Sequence, residues 1–294
     1  YTRKFMQIAV EPSDVCNLNC PSCMRPKPGT GFMHPTVFRR IMEKLEGETK
    51  NIALYGRGEA TLSPWLPEIT EIAREYDCHT RLSINTCVPL GEEYLTRLLR
   101  SVDLFKICVD GYNQETLEKY RRGGSWKTVV ANLNIISRIN PTRSIKEMCV
   151  LTFKHVEEYE EQFRSLAKKY NMTRICWTLP IINWKMTLTQ EETDEWLATN
   201  PKYQRYTMKN GVWHHKTARF CIPDPFICVD GTMLGCCRDR FATQPVGNIL
   251  TDGLGKLRRK LFRFWLKALR REFKFCRTCC WAPSEPIEIW ESVQ

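Results

Sequence analysis

Apolar and polar positions change period along the chain in a repeating way. Short β-rich apolar runs occupy 5–10, 51–55, 81–85, 104–109, 147–153 and 174–178. Between them, at 35–45, 64–76, 91–100, 125–139 and 156–170, apolar residues recur three and four positions apart, the spacing of one helix face. Strand and helix alternating at this spacing predict an α/β fold with a parallel sheet, open or closed into a partial barrel. Beyond about 187 the pattern changes. Residues 188–215 are polar and aromatic, with a helix start at Thr189-Gln190-Glu191-Glu192. A small cysteine-bearing region of short strands follows at 216–282, then a tail at 283–294.

In such folds ligands gather at the C-terminal ends of the strands. The chemistry-bearing residues fall there. Cys16 follows the first run, Gly56-Arg57-Gly58-Glu59 the second, Asn85 ends the third, and Asp110-Gly111 follows the fourth. Each alone reads as a loop or turn residue. Their shared register raises the functional reading of all of them.

Composition narrows the class. The chain has 294 residues, 43% hydrophobic and 26% charged, which is globular usage. No run of about 18 apolar residues spans a membrane, and no export signal is visible, so a cytoplasmic protein is expected. Fifteen cysteines cannot all pair internally. In such a chain they point to metal or redox chemistry rather than a disulfide frame. Cys16, Cys20 and Cys23 are spaced C-x3-C-x2-C, and Cys221, Cys236, Cys237, Cys276, Cys279 and Cys280 form a second group. Cys78, Cys87, Cys108, Cys149, Cys176 and Cys228 stand singly. Of these, Cys108, Cys149, Cys176 and Cys228 lie in or beside apolar runs and read as small buried hydrophobes. Three thiolates cannot complete a tetrahedral zinc site alone. They can hold three irons of a [4Fe–4S] cube and leave the fourth iron open. A zinc knuckle with its fourth ligand elsewhere is the alternative.

With Cys16, Cys20 and Cys23 placed directly after a first strand, the chain resembles radical S-adenosylmethionine (radical SAM) enzymes. The resemblance implies a partial (β/α)6 TIM-like barrel over 1–187, carrying a [4Fe–4S] cluster whose open iron binds SAM. Reductive cleavage of SAM to methionine and a 5′-deoxyadenosyl radical, which abstracts hydrogen from a substrate C–H bond, is the implied chemistry. Gly58-Glu59 matches the motif that engages the methionine amino group, and Asn85 the polar position after the third strand. F-K-I-C-V-D-G resembles the fourth-strand pattern, with Cys108 where Ser is common among SAM contacts. In Y-R-R-G-G-S-W, Arg121 or Arg122 would meet the SAM carboxylate. Thr86 stands where Gly often follows the Asn, and Ser22 replaces a frequent aromatic.

The C-terminal region resembles the SPASM/twitch auxiliary-cluster extension. Cys221, Cys236, Cys276 and Cys279 would hold one fully ligated auxiliary [4Fe–4S] cluster. The choice within Cys236-Cys237 and Cys279-Cys280 stays open, as does a zinc ribbon from the same ligands. The resemblance implies oxidation (dehydrogenation) or epimerisation of a sugar-like natural product. Modification of a ribosomally made peptide by epimerisation or cross-linking is the alternative. Epimerisation needs a hydrogen-atom donor, for which Cys108, Cys237 and Cys280 are candidates. The first strand begins close to residue 1, so a small polar substrate, or a peptide delivered by a separate partner, is expected.

Charge adds a partner. Lys and Arg exceed Asp and Glu by 11. Residues 256–277 hold ten Lys and Arg against one acid, Glu272. Leu257, Leu261, Trp265 and Leu269 give this segment an apolar stripe spaced i, i+4. A core-packed helix with a basic face is expected, suited to an acidic electron donor such as flavodoxin or ferredoxin. tRNA modification ranks below these because no dedicated RNA-binding motif is present, and a non-enzymatic zinc-stabilised nucleic-acid-binding protein does not explain why Glu59, Asn85 and Asp110 follow successive strands.

Overall fold

The computed structural model describes residues 4–23, 29–140, 144–180, 190–203, 206–209, 212–215, 224–277 and 288–293. Six strands, β1 (Ile8–Val10), β2 (Asn51–Leu54), β3 (His79–Ile84), β4 (Leu104–Cys108), β5 (Ile145–Leu151) and β6 (Arg174–Thr178), lie side by side in chain order and are all parallel. The crossovers carry α1 (Pro35–Leu45), α2 (Leu66–Glu75), α3 (Glu92–Ser101), α4 (Gln114–Tyr120), α5 (Trp126–Arg138), α6 (Lys154–Glu157) and α7 (Glu160–Lys169). This is the expected partial (β/α)6 barrel.

Alternation along each strand divides the molecule into two faces. Ile52, Leu54, Leu82, Ile84, Phe105, Ile107, Met148, Val150, Ile175 and Trp177 enter the main apolar core with the helices. Fully burying each such side chain contributes about 1.5–3 kcal/mol. The other face is the barrel interior, with a small apolar cluster at Ala9, Ala53 and Phe226 and polar side chains across β4 to β6. There the register pairs Lys106 with Glu147 and Glu147 with Arg174.

After α8 (Gln190–Trp196) comes a hairpin of β7 (Tyr206–Lys209) and β8 (Val212–His215), which forms its own two-stranded sheet; the remaining strands extend the main one. Then β9 (Phe226–Ile227) pairs parallel with β1, and β10 (Thr232–Leu234) and β11 (Pro245–Asn248) add antiparallel strands outside it. Next are α9 (Leu254–Leu269) and α10 (Lys274–Arg277). The chain returns through β12 (Glu288–Ser292), antiparallel to β6, at the opposite edge. Among the described residues no helix is long and apolar enough to cross a membrane.

Several elements differ from the sequence pattern for identifiable reasons. The stretch 156–170 is two helices, broken where Tyr159 leaves helical geometry (φ −126°) and packs its ring 4.6 Å from Tyr112. α4 carried no periodic signal. It is started by Asn113, whose side chain accepts from Thr116 N while the Thr116 hydroxyl accepts from Asn113 N, a reciprocal cap. The tail contains a strand, β12, whose Trp290 indole bonds Glu147. On α9 the buried stripe is Leu257, Leu261, Phe264 and Ala268, with Leu269 exposed. A strict i, i+4 row drifts around a helix of 3.6 residues per turn, so the contact face steps back by i+3.

Candidate functional site

The loop after β1 carries Cys16, Cys20 and Cys23, and their exposure rises along it from partly buried to exposed. Asp14 shapes the loop. Its Oδ1 accepts from Thr30 N and Gly31 N and its Oδ2 from the Thr30 hydroxyl, at 2.7–2.8 Å. The loop after β2 packs against it closely. Gly58 N donates to Ser13 O and Glu59 N to Val15 O. A Cβ at Gly58 would lie 2.4 Å from Ser13 O, so only glycine permits the approach.

Glu59 is 4% exposed. Oε1 accepts from the Thr61 amide and hydroxyl and Oε2 from the Asn85 amide at 2.8 Å. Burial pushes its carboxyl above the usual range, opposed by these three hydrogen bonds. The Asn85 side chain is equally committed. Nδ2 donates to Asn17 Oδ1 at 2.9 Å and points to Cys16 Sγ at 3.9 Å, while Oδ1 accepts from Cys87 N. The two residues therefore fasten the ends of β2 and β3 to the cysteine loop.

The fourth strand brings a cation. Asp110, fully buried, accepts from Leu151 N and pairs with Arg121 at 2.5 Å. Arg121 Nη1 lies 4.0 Å from Cys20 Sγ. Burial raises the Cys20 thiol to about 11, against the pull of Arg121. Arg121 is thus the arginine at the thiols. Arg122 is exposed and meets the cysteine loop through its carbonyl, which accepts from Asn19 N. Ser22 bonds the Tyr120 hydroxyl at 2.9 Å.

Thr86 has a left-handed backbone (φ 64°), the conformation glycine favours. It is held there by its hydroxyl on Cys108 O and by Asn132 Nδ2 on its carbonyl, both at 2.9 Å. Cys108, partly buried, lies 3.3 Å from Ser83 Oγ, and a hydrogen bond from Cys149 lowers its thiol from the usual range.

The second cysteine group is described in part. Cys236 is buried and Cys276 partly buried, both against the main core, whereas Cys237 packs with Tyr55 on the interior face. A hydrogen bond from Cys236, with Arg240 and Arg238 near, lowers the Cys237 thiol to about 6. Cys221, Cys279 and Cys280 lie outside the described residues.

Pattern reasoning passed over Glu11. Fully buried, it accepts Arg57 N at 2.7 Å and takes the Arg57 guanidinium at 2.6–3.2 Å. Arg57 and Arg240 exchange contacts with the Arg240 and Gly56 carbonyls, tying the β2 loop to the C-terminal region. A charged residue ending an apolar strand, as Glu11 does after Val10, was the available signal.

The donor set fits an iron–sulfur cluster. One loop carries all three thiols at a single strand end, and Asn85 and Arg121 offer N–H groups toward two of the sulfurs, contacts that tune cluster potential. Solved structures share the architecture. The chain is similar to native anSMEcpe with bound AdoMet (TM-score 0.64, 15% identity, covering 96% of this chain and 92% of that one). It is also similar to BtrN in complex with AdoMet and 2-DOIA (TM-score 0.57, 15% identity, 94% and 92% covered). Streptococcus suis SuiB bound to S-adenosylmethionine gives a TM-score of 0.60 at 13% identity, with 95% of this chain and 69% of that one covered. No curated protein matches the sequence. The Radical SAM superfamily model matches residues 10–175, more than half of the chain, and the chain belongs to that superfamily.

Proposed function

We propose that this radical SAM enzyme oxidises or epimerises a small, polar, sugar-like substrate, using residues 1–187 as the SAM-cleaving core and 216–282 as an auxiliary-cluster domain. When bound, the cluster and SAM supply one-electron cleavage of a sulfonium C–S bond and, from it, removal of a substrate hydrogen atom. Cys16, Cys20 and Cys23 hold the cluster. The observation that carries the assignment of roles is the Arg121–Asp110 pair beside Cys20. It fixes a guanidinium beside the Cys20 thiol, a group suited to hold a carboxylate there. Gly58, Glu59 and Asn85 position the loop around the methionyl end.

Cys236 and Cys276 share one core and suit one auxiliary cluster, with Cys221 and Cys279 as the other ligands. Cys237 is then left to the interior. Cys108, partly exposed on the barrel interior and hydrogen-bonded by Cys149, is the better-placed hydrogen-atom donor of the candidates described. That favours epimerisation. Peptide modification stays as the second reading, because anSMEcpe is solved with the Cp18Cys peptide and SuiB with precursor peptide SuiA. The reductant is an acidic electron-transfer protein of a cytoplasmic setting.

Reconstituted protein incubated anaerobically with SAM and dithionite should release 5′-deoxyadenosine, and Cys16→Ala should not. A fully iron-loaded wild type that releases none overturns the reading. In heavy water, epimerisation delivers one solvent deuterium to the product carbon; oxidation delivers none.

A further inference from the structure

β4, β5 and β6 set three thiols in one row. Cys108 is paired in register with Cys149, and Cys149 with Cys176. Their neighbours Met148, Val150, Ile175 and Trp177 enter the helix-side core, so Cys149, Cys176 and Glu147 face the barrel interior. All three are buried. The two sulfurs and a Glu147 oxygen lie within 4.8 Å of one another.

Two buried thiols and a buried carboxylate form a donor set for a borderline-soft dication. Zinc binds thiolate at about 2.3 Å and carboxylate at about 2.0–2.2 Å, which makes a tetrahedral sulfur–sulfur edge about 3.8 Å. The three donors need close by no more than about 1 Å to reach it.

The carboxylate is already oriented. Glu147 Oε2 accepts from Arg174 Nε at 2.5 Å and Trp290 Nε1 at 3.1 Å. Oε1 accepts the Cys149 thiol at 3.4 Å. The sulfurs have outer neighbours too: Cys108 stands beside Cys149 in register, and Cys176 lies 3.5 Å from the Thr178 hydroxyl. Such outer contacts fix ligand geometry in metal sites. A metal would replace the thiol proton on the Cys149–Glu147 line. Lys106 lies 3.2 Å from Glu147 Oε1 but also holds Glu288 at 2.7 Å, so it keeps a partner.

Charge selects the valence. Glu147 and Glu288 balance Lys106 and Arg174. Binding one dication with release of two thiol protons preserves that balance, with no change of oxidation state. A monovalent ion on two thiolates would leave a buried negative charge, which is costly.

We propose that Cys149, Cys176 and Glu147 form a site for one divalent thiophilic ion of the zinc type, separate from both cysteine groups, with its fourth position open to the barrel interior. The test uses holoenzyme with its clusters assembled, equilibrated with zinc chloride and dialysed against a weak chelator. Wild type should retain one more zinc per chain than Cys149→Ala or Cys176→Ala, at equal iron content. Cadmium should give thiolate charge-transfer absorption in wild type alone. Cys149→Ser and Cys176→Ser preserve side-chain volume and provide the same comparison should the alanine forms not fold. Equal zinc in wild type and variants overturns the proposal. So does iron that falls in the variants, which would assign these thiols to a cluster. 5′-Deoxyadenosine formation by the same samples reports the SAM reaction separately.

Discussion

Asp110 holds Arg121 at 2.5 Å, and through that contact fixes a guanidinium beside Cys20. Both partners are largely buried, with side-chain exposures of 1% and 14%. Removing one leaves the other a desolvated charge. Arg121→Gln should weaken SAM binding to the cluster-loaded protein by about 10- to 100-fold, the worth of a charge-assisted hydrogen bond at about 1.5–3 kcal/mol. Asp110→Asn should weaken it less, since Arg121 stays but is no longer aimed. Arg122→Gln should leave the affinity within about twofold, as expected of a surface substitution. Equal losses at Arg121 and Arg122, read by titration calorimetry, would contradict this arrangement.

Glu59 acts through the loops it joins. Its carboxylate takes three donors from Thr61 and Asn85. Glu59→Gln turns one acceptor into a donor facing an N–H, which costs about 1–3 kcal/mol for the unsatisfied buried group. The variant should unfold at lower temperature, and its SAM affinity should fall with it. Glu59→Asp keeps the charge but shortens the reach, and should also lose stability. An unchanged melting temperature for Glu59→Gln would mean the carboxylate is not the clamp between β2 and β3.

The strands, the crossovers and the cysteine loop were legible because burial on one side of a strand, and helical spacing between strands, leave a repeating apolar record. Glu59 and Asn85 were legible as positions at strand ends but not as hydrogen-bond partners of each other. That contact joins residues 26 apart and leaves no periodic trace. Arg121 and Arg122 are adjacent and alike, and only the end of α4 decides which one turns inward. Cys149 and Cys176 look like any small core residue in sequence. Their adjacency comes from the register of β5 and β6, which pattern alone does not supply. β12 was hidden because an edge strand of Glu-Ile-Trp-Glu-Ser carries little apolar alternation.

α9 presents Lys256, Arg259, Lys260, Arg263 and Lys267 on its exposed side and contains no acid. Phe262, Leu266 and Leu269 are about 40% exposed among them. Positive charge around an apolar strip suits an acidic protein reductant, with the field speeding encounter. The triple change Lys260→Glu, Arg263→Glu and Lys267→Glu should slow reduction by reduced flavodoxin by about tenfold at low salt. Dithionite-driven turnover should be unchanged. About 0.5 M salt should bring wild type close to the variant, because the screening length shortens to a few ångströms. Flavodoxin kinetics identical in both proteins at every salt concentration would remove α9 from electron delivery.

His155 gives the fold a dependence on acid. Its ring is stacked 6.0 Å from Phe153 and meets Trp196 edge-on at 5.7 Å, and Nε2 has no hydrogen-bond partner. Burial among these rings lowers its basicity below the usual 6.5, with Lys119 adding to the effect and Asp110 and Glu158 opposing it. The folded state therefore prefers the neutral ring. A depressed folded value means that the stabilising contribution is full above about 6.5 and is lost as pH falls through the folded value. The loss should appear where α6 meets α8, since Trp196 ends the latter. Melting temperature should drop between pH 7 and pH 5, and His155→Phe, which keeps the ring packing, should drop less over the same range. Parallel pH profiles for the two proteins would show that another group carries the acid sensitivity.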